Sequence, residues 1–99
     1  MIELGGNIQL VGFKDFDSSE LVVMKKIIGN YARKFSDNLE NYEKLTVSLK
    51  QIGPKSSNKY EIQIKLMVKG KPTNTDVTEN NVYFALAQSF KKLENQVLK

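Results

Sequence analysis

Residues 60–77, YEIQIKLMVKGKPTNTDV, decide the fold because they contain a long alternating segment followed by a turn. From Tyr60 to Val68 every second residue is apolar, and the residues between them are mostly charged or carry an amide. This period of two predicts a β-strand with one buried face and one exposed face. Gly70 then predicts a tight hairpin. Pro72 places the next strand at an edge of the sheet or beside the turn, since proline has no N–H for the ladder.

Two further strands precede this hairpin. Residues 7–13, NIQLVGF, have apolar side chains in both alternations, which is typical of a strand covered on both faces or of a short edge strand. Residues 44–50, KLTVSLK, alternate cleanly between aliphatic and polar side chains. Residues 53–59, GPKSSNK, have the composition of a turn or flexible loop. The strongest strands therefore lie in the middle of the chain.

Two amphipathic helices complete the pattern. Asp17, with Glu20 three positions later, fits a capping box at the start of the first helix. Gly29 inside that helix predicts a close packing contact, since glycine costs a helix roughly 1 kcal/mol relative to alanine. Asn80 or Asn81 is the predicted cap of the last helix. The apolar stripes are Leu21, Met24, Ile27, Ile28, Tyr31, Ala32 and Phe35 in the first helix and Leu86, Phe90, Leu93 and Val97 in the last.

The element order is therefore β-α-β-β-β-α. The first helix lies between two strands and is long enough for a right-handed parallel crossover. One-sided helices and a sheet with one polar face predict an α+β fold of two layers, a sandwich in which a four-stranded mixed sheet carries both helices on one face. Residues 1–99 are expected to form a single domain, because this length supports one modest core.

Composition restricts the chemistry. The chain has no histidine and no cysteine, which removes the commonest general base, the strongest nucleophile at neutral pH and the usual zinc ligands. Asp15, Asp17 and Glu20 are close in sequence, but their spacing fits no calcium loop, and Asp17 is needed as a helix cap. We therefore expect no enzyme, no catalytic residue, no metal site and no cofactor. No apolar run reaches the length of a membrane span, and the lack of cysteine makes a cytoplasmic location the default.

Positive charge is concentrated in one region. Residues 44–71 carry a local balance of +6, whereas residues 37–43 carry a balance of −3. Clustered lysines attract a polyanion such as RNA, and they equally keep exposed strands soluble. Charge alone leaves both interpretations open. No aromatic residue falls at an outward position of the two central strands, so a sheet that stacks bases is not expected.

The C-terminal segment, residues 78–99, TENNVYFALAQSFKKLENQVLK, resembles the closing segment of the ribosome hibernation-promoting and ribosome-associated translation inhibitor family. In that family a polar turn leads to a helix with an early tyrosine, an alanine-rich turn and a KLE-Q ending. The element order and size also match the short, single-domain form of the family. The matching residues are Tyr83, Ala85, Leu86, Phe90, Lys92, Leu93, Glu94, Gln96 and Leu98.

The resemblance implies a cytoplasmic protein that docks on the small ribosomal subunit and inhibits translation by occluding the RNA path during stress and hibernation. It also implies that basic side chains on the outer arcs of both helices bind rRNA. By position these are Lys25, Lys26, Arg33 and Lys34 in the first helix and Lys91, Lys92 and Lys99 in the last. These helices are less basic than is typical of the family, so a second surface is kept as an alternative. That surface is the sheet face with its loop, and it comprises Lys50, Lys55, Lys59, Lys65 and Lys69.

A non-enzymatic protein-interaction module is the alternative function. Such a module would keep the fold without the ribosomal role. It would pair through its edge strands or through the open face of the sheet, for instance as a homodimer. Under either function we expect no membrane partner and a monomer or weak homodimer.

Overall fold

The computed structural model describes residues 2–4, 7–14, 16–52 and 59–98. Asp15, Lys55 and Lys99, which the sequence analysis considered, lie outside the described residues. The strands are β1 (Ile2–Leu4), β2 (Ile8–Val11), β3 (Tyr42–Ile52), β4 (Lys59–Val68) and β5 (Lys71–Glu79). The helices are α1 (Ser18–Asn38) and α2 (Val82–Val97).

The five strands form one mixed sheet in chain order, with β1 and β5 at its edges. β2 and β3 are parallel, α1 lies between them in sequence, and every other neighbouring pair is antiparallel. The predicted α+β fold and its order β-α-β-β-β-α are confirmed from β2 onwards. β1 adds a short strand that pairs Ile2 with Leu10. β1 is not predicted by the sequence, because three residues are too few to show an alternation.

Both helices pack on the same face of the sheet, as predicted. The central strands bury alternate residues against them, while the residues between are exposed or half-buried. Full burial of an aliphatic side chain contributes roughly 1.5–3 kcal/mol, which is why the alternation locates the core. The buried residues of the central strands are Leu45, Val47, Leu49, Ile62, Ile64 and Leu66, and those of the helices include Met24, Ile28, Phe35, Leu86, Phe90 and Leu93.

Gly12 explains why both alternations of residues 7–13 contain apolar side chains. Its φ of +84° lies in the left-handed region that L side chains rarely adopt. This turn leaves Val11 40% exposed and directs Phe13, which is 1% exposed, into the core. A Cβ atom at Gly12 would overlap the carbonyl oxygen of Leu49. Glycine is therefore required here for both its backbone conformation and its lack of a side chain.

The hairpin between β4 and β5 is a two-residue turn. Lys69 and Gly70 have φ values of +54° and +74°, which is the pattern of a type I′ turn. The Gly70 N–H donates a 2.6 Å hydrogen bond to Oε1 of Glu43, and the Lys69 N–H donates a 3.2 Å bond to the carbonyl of Asn41. The hairpin is thereby fixed to the chain segment that opens β3, and Lys69 lies in the turn.

The predicted caps begin both helices. The Glu20 N–H donates a 2.8 Å hydrogen bond to Oδ1 of Asp17, and the Asp17 N–H donates a 3.3 Å bond back to Oε1 of Glu20. The Glu20 N–H and the Ser19 hydroxyl lower the pKa of the Asp17 carboxyl. In α2 the cap is Asn81, whose Oδ1 accepts a 3.0 Å hydrogen bond from the Phe84 N–H.

Gly29 does not make the predicted close contact, because a Cβ atom there would meet nothing within 4 Å. We expect Gly29→Ala to raise the free energy of unfolding by about 0.5–1 kcal/mol, since alanine loses less backbone entropy in a helix. Chemical denaturation measures this as a shifted midpoint with an unchanged m-value. A loss of stability in this variant would contradict the open space seen around Gly29.

Candidate nucleic-acid interface

The two helices lie side by side and run in the same direction. The ring of Tyr31 in α1 stacks on the ring of Phe90 in α2, with centroids 4.8 Å apart and an interplanar angle of 9°. About one turn further along both helices, Nζ of Lys34 lies 2.5 Å from Oε2 of Glu94. Residue numbers rise together from one contact to the next, so the helices are parallel. Their solvent-facing arcs therefore form one common surface.

The ion pair with Glu94 changes the interpretation of Lys34. The hydrogen bond to Glu94 raises the pKa of Lys34, so the lysine is charged at neutral pH. The Lys34 side chain is 51% exposed, and an ion pair of this exposure adds little stability. The Glu94 carboxylate nevertheless neutralises much of the positive charge of Lys34 at this point of the surface. Lys34 is therefore not counted as part of a free cationic surface.

Lys92 folds back onto the edge of the sheet. Its ammonium donates a 3.3 Å hydrogen bond to the main-chain carbonyl of Asp76 in β5. The same ammonium lies 4.0 Å from the Asp76 carboxylate. Lys92 is therefore engaged by β5 in this structure, although the sequence pattern places it on the outer arc of α2.

The remaining predicted helix residues are Lys25, Lys26, Arg33 and Lys91, and none forms an ion pair with another described residue. Lys25 is half-buried and the other three are exposed. Lys26 and Arg33 lie nearly two full turns apart, so they project from the same arc of α1. Lys91 is exposed on α2, where it lines a groove with Glu79 of β5 and Asn95. We call Lys26, Arg33 and Lys91 the helix-face cluster.

The face of the sheet opposite the helices, called here the open sheet face, carries part of the second predicted set. Strand alternation and register place Lys50, Lys59 and Lys65 on it. Lys50 lies directly opposite Glu61 in the neighbouring strand, so its charge has an acidic neighbour. A shallow concavity of about 440 Å³ on this face is lined mainly by Thr46, Ser48, Gln63, Lys65, Asn74 and Asp76. The acidic and neutral polar groups between the lysines therefore lower the positive charge density of the open sheet face.

Other kinds of site find no support in the described residues. No group of three or more acidic side chains gathers there to hold a metal ion. The Asp17 carboxylate accepts hydrogen bonds from the Glu20 N–H and the Ser19 hydroxyl, as its role as a helix cap requires. In the same part of the chain, neither helix combines the length and apolarity that crossing a bilayer requires.

The sequence matches no protein-family model and no curated protein. Its fold is similar to the N-terminal domain of protein Y from Thermus thermophilus, with a TM-score of 0.63 and 16% identity over 91% of both chains. It is also similar to a ribosomal subunit interface protein from Coxiella burnetii, with a TM-score of 0.60 and 12% identity over 92% of this chain and 90% of the other. The fold therefore matches that of the ribosome hibernation-factor family, as the C-terminal resemblance predicted.

Proposed function

We propose that this chain is a cytoplasmic, ribosome-associated factor that binds rRNA of the small ribosomal subunit and inhibits translation by occlusion during hibernation or stress. The observation that carries the proposal is the helix-face cluster: three exposed cations on two adjacent helices, without an ion-pair partner among the described residues. The similarity of the fold to a ribosomal subunit interface protein supports the same assignment.

The helix-face cluster suits phosphate binding more than base reading. Lysine and arginine that neutralise phosphates release condensed counterions, and this provides affinity without sequence information. The stacked rings of Tyr31 and Phe90 pack the two helices together. The cations are thus carried on packed helices, which lowers the entropic cost of ordering them on binding. A folded rRNA surface, recognised by its shape and backbone, fits this arrangement.

The proposal is tested by co-sedimentation of the purified chain with isolated small ribosomal subunits at increasing salt. We expect binding at low salt and release at high salt. Three phosphate contacts predict that the logarithm of the affinity falls with the logarithm of salt concentration with a slope of about −2 to −3. Large ribosomal subunits serve as the control particle. An absence of binding to small subunits at low salt would overturn the proposal. An affinity that does not change with salt concentration would overturn its electrostatic basis.

A protein-interaction role is the second candidate function, and one observation favours it. β5 stands at the edge of the sheet, so among the described residues one side of this nine-residue strand has no neighbouring strand. Exposed strand edges pair readily with a strand of another chain.

A further inference from the structure

The outer side of β5 presents main-chain groups that can bind another strand. The two-residue hairpin makes Val68 and Lys71 a hydrogen-bonded pair, and such pairs then alternate along an antiparallel ladder. The odd-numbered residues of β5 therefore bond to β4, and the even-numbered residues point their main-chain groups away from the sheet. The outward-facing residues are Pro72, Asn74, Asp76 and Thr78.

Lys92 supports this orientation independently, because its ammonium reaches the carbonyl of Asp76 from outside the sheet at 3.3 Å. The Lys92 side chain is 53% exposed, and an exposed contact of this kind is easily exchanged for water. Within the described residues, no hydrogen bond occupies the outward main-chain groups of Asn74 or Thr78. Most of the β5 edge is therefore available for pairing.

The sequence of β5, KPTNTDVTE, is complementary to itself in the antiparallel direction. With two copies paired around Thr75, Lys71 lies opposite Glu79 of the second copy, and Asn74 lies opposite Asp76. Two-fold symmetry makes each of these pairs occur twice. Asn74 and Asp76 are both outward-facing residues, so this register also matches the hydrogen-bonding pattern of the backbone. Charge and backbone geometry thus select the same alignment.

Neighbouring registers are less favourable. A shift of two residues in one direction places Asp76 directly opposite Asp76 of the second copy, and like charges in that position destabilise a sheet. A shift in the other direction places Lys71 opposite Val77 and loses the pair with Glu79. Only even shifts keep the outward groups facing each other, because the pattern repeats every two residues. The alignment around Thr75 is therefore the favoured one.

We propose that two copies of this chain pair antiparallel through β5, so that their two sheets become one continuous sheet with all helices on one face. α2 packs on both β4 and β5, so the two α2 helices would lie side by side. With strands about 4.8 Å apart, the axes of these helices would be separated by about 10 Å, which is an ordinary helix packing distance. Lys92 gives up the Asp76 carbonyl in this dimer. The proposal does not depend on the ribosomal function.

Charge exchange between Lys71 and Glu79 tests the dimer. In Lys71→Glu alone, two Glu–Glu pairs replace two Lys–Glu pairs, and Glu79→Lys alone creates two Lys–Lys pairs. Each single variant should weaken dimerisation about tenfold, measured by analytical ultracentrifugation across a range of protein concentrations. An equimolar mixture of the two single variants should dimerise at least as well as the wild type, because the heterodimer restores both opposite-charge pairs.

The double variant Lys71→Glu with Glu79→Lys should also recover the homodimer. These residues stand at opposite ends of β5, so an interaction within one chain cannot explain such a recovery. Lys44→Glu, an exposed position on β3 with the same change of charge, is the matched control and should leave dimerisation unchanged. Circular dichroism establishes that each variant is folded.

A wild type that stays monomeric up to about 1 mM overturns the proposal. A dimer that is insensitive to Lys71→Glu, with no preference for the mixed pair, also overturns it. Lys71 lies outside the helix-face cluster, whereas Glu79 lines a groove with Lys91. Lys71→Glu therefore separates the two proposals: it should weaken the dimer and leave co-sedimentation with small subunits intact. Lys26→Glu with Arg33→Glu, both on α1, should weaken co-sedimentation and leave the dimer intact.

Discussion

The triple variant Lys26→Glu, Arg33→Glu, Lys91→Glu is expected to lose about a hundredfold or more in affinity for small ribosomal subunits. Each substitution removes a cation that would neutralise a phosphate and places an anion in the same position. The three positions are exposed and make no ion pair with another described residue, so the fold should not be disturbed. Co-sedimentation titrations at fixed low salt measure the affinity, and the residual binding should show a shallower salt dependence.

The open sheet face offers a control with the same change of charge. The variant Lys50→Glu, Lys59→Glu, Lys65→Glu alters net charge equally but on the opposite side of the molecule. We expect it to keep most of its binding, with only the modest loss that lower net charge causes. The reverse result would move the rRNA surface to the open sheet face. Normal binding by both variants would contradict rRNA binding through either surface.

Gly12→Ala is expected to lower the free energy of unfolding by about 2–5 kcal/mol. About 1–2 kcal/mol of this comes from holding an L side chain in the left-handed region, and about 1–3 kcal/mol comes from forcing a methyl group into packed structure. The obstacle is the main-chain carbonyl of Leu49, which cannot rotate away as a flexible side chain can. Thermal and chemical denaturation measure the loss.

Gly70→Ala separates these two causes. Its φ of +74° is also left-handed, but a Cβ atom there would meet nothing within 4 Å. We expect a smaller loss of about 1–2 kcal/mol, from backbone conformation alone. If Gly12→Ala is no more destabilising than Gly70→Ala, that result would contradict the steric overlap expected between a Cβ atom at Gly12 and the Leu49 carbonyl.

The parts of the fold that depend on local periodicity could be predicted from the sequence. The alternation from Tyr60 to Val68 and the capping box at Asp17 both appear in the structure where the sequence placed them. The glycines were harder to interpret, because their environments depend on distant chain segments. Gly12 lies against Leu49 of another strand, whereas the space around Gly29 is open. No local pattern distinguishes these two situations.

The rRNA-binding role of the helix residues was predicted from the family resemblance, and helical spacing alone places only Lys26 and Arg33 of the helix-face cluster on an outer arc. Spacing does not reveal which side chain of another element stands beside each residue. Lys34 meets Glu94 across the helix interface, and Lys92 meets Asp76 of β5. Glu94 lies on a different helix from Lys34, and Asp76 lies on β5, 16 positions before Lys92. The sequence therefore indicates which side chains face outward, and the packing of elements decides which of them keep their charge available.

The parallel pairing of β2 with β3 sets the order in which the chain can complete its sheet. Leu10 lies opposite Val47, with all of α1 between them, whereas β3, β4 and β5 follow one another as antiparallel neighbours. Closing a long segment costs more entropy than closing a hairpin, so local pairings form more readily. During synthesis from the N-terminus, β2 can pair with β1, but it emerges before its parallel partner β3 exists. The pairing that joins β1 and β2 to the rest of the sheet therefore waits until α1 and β3 have emerged.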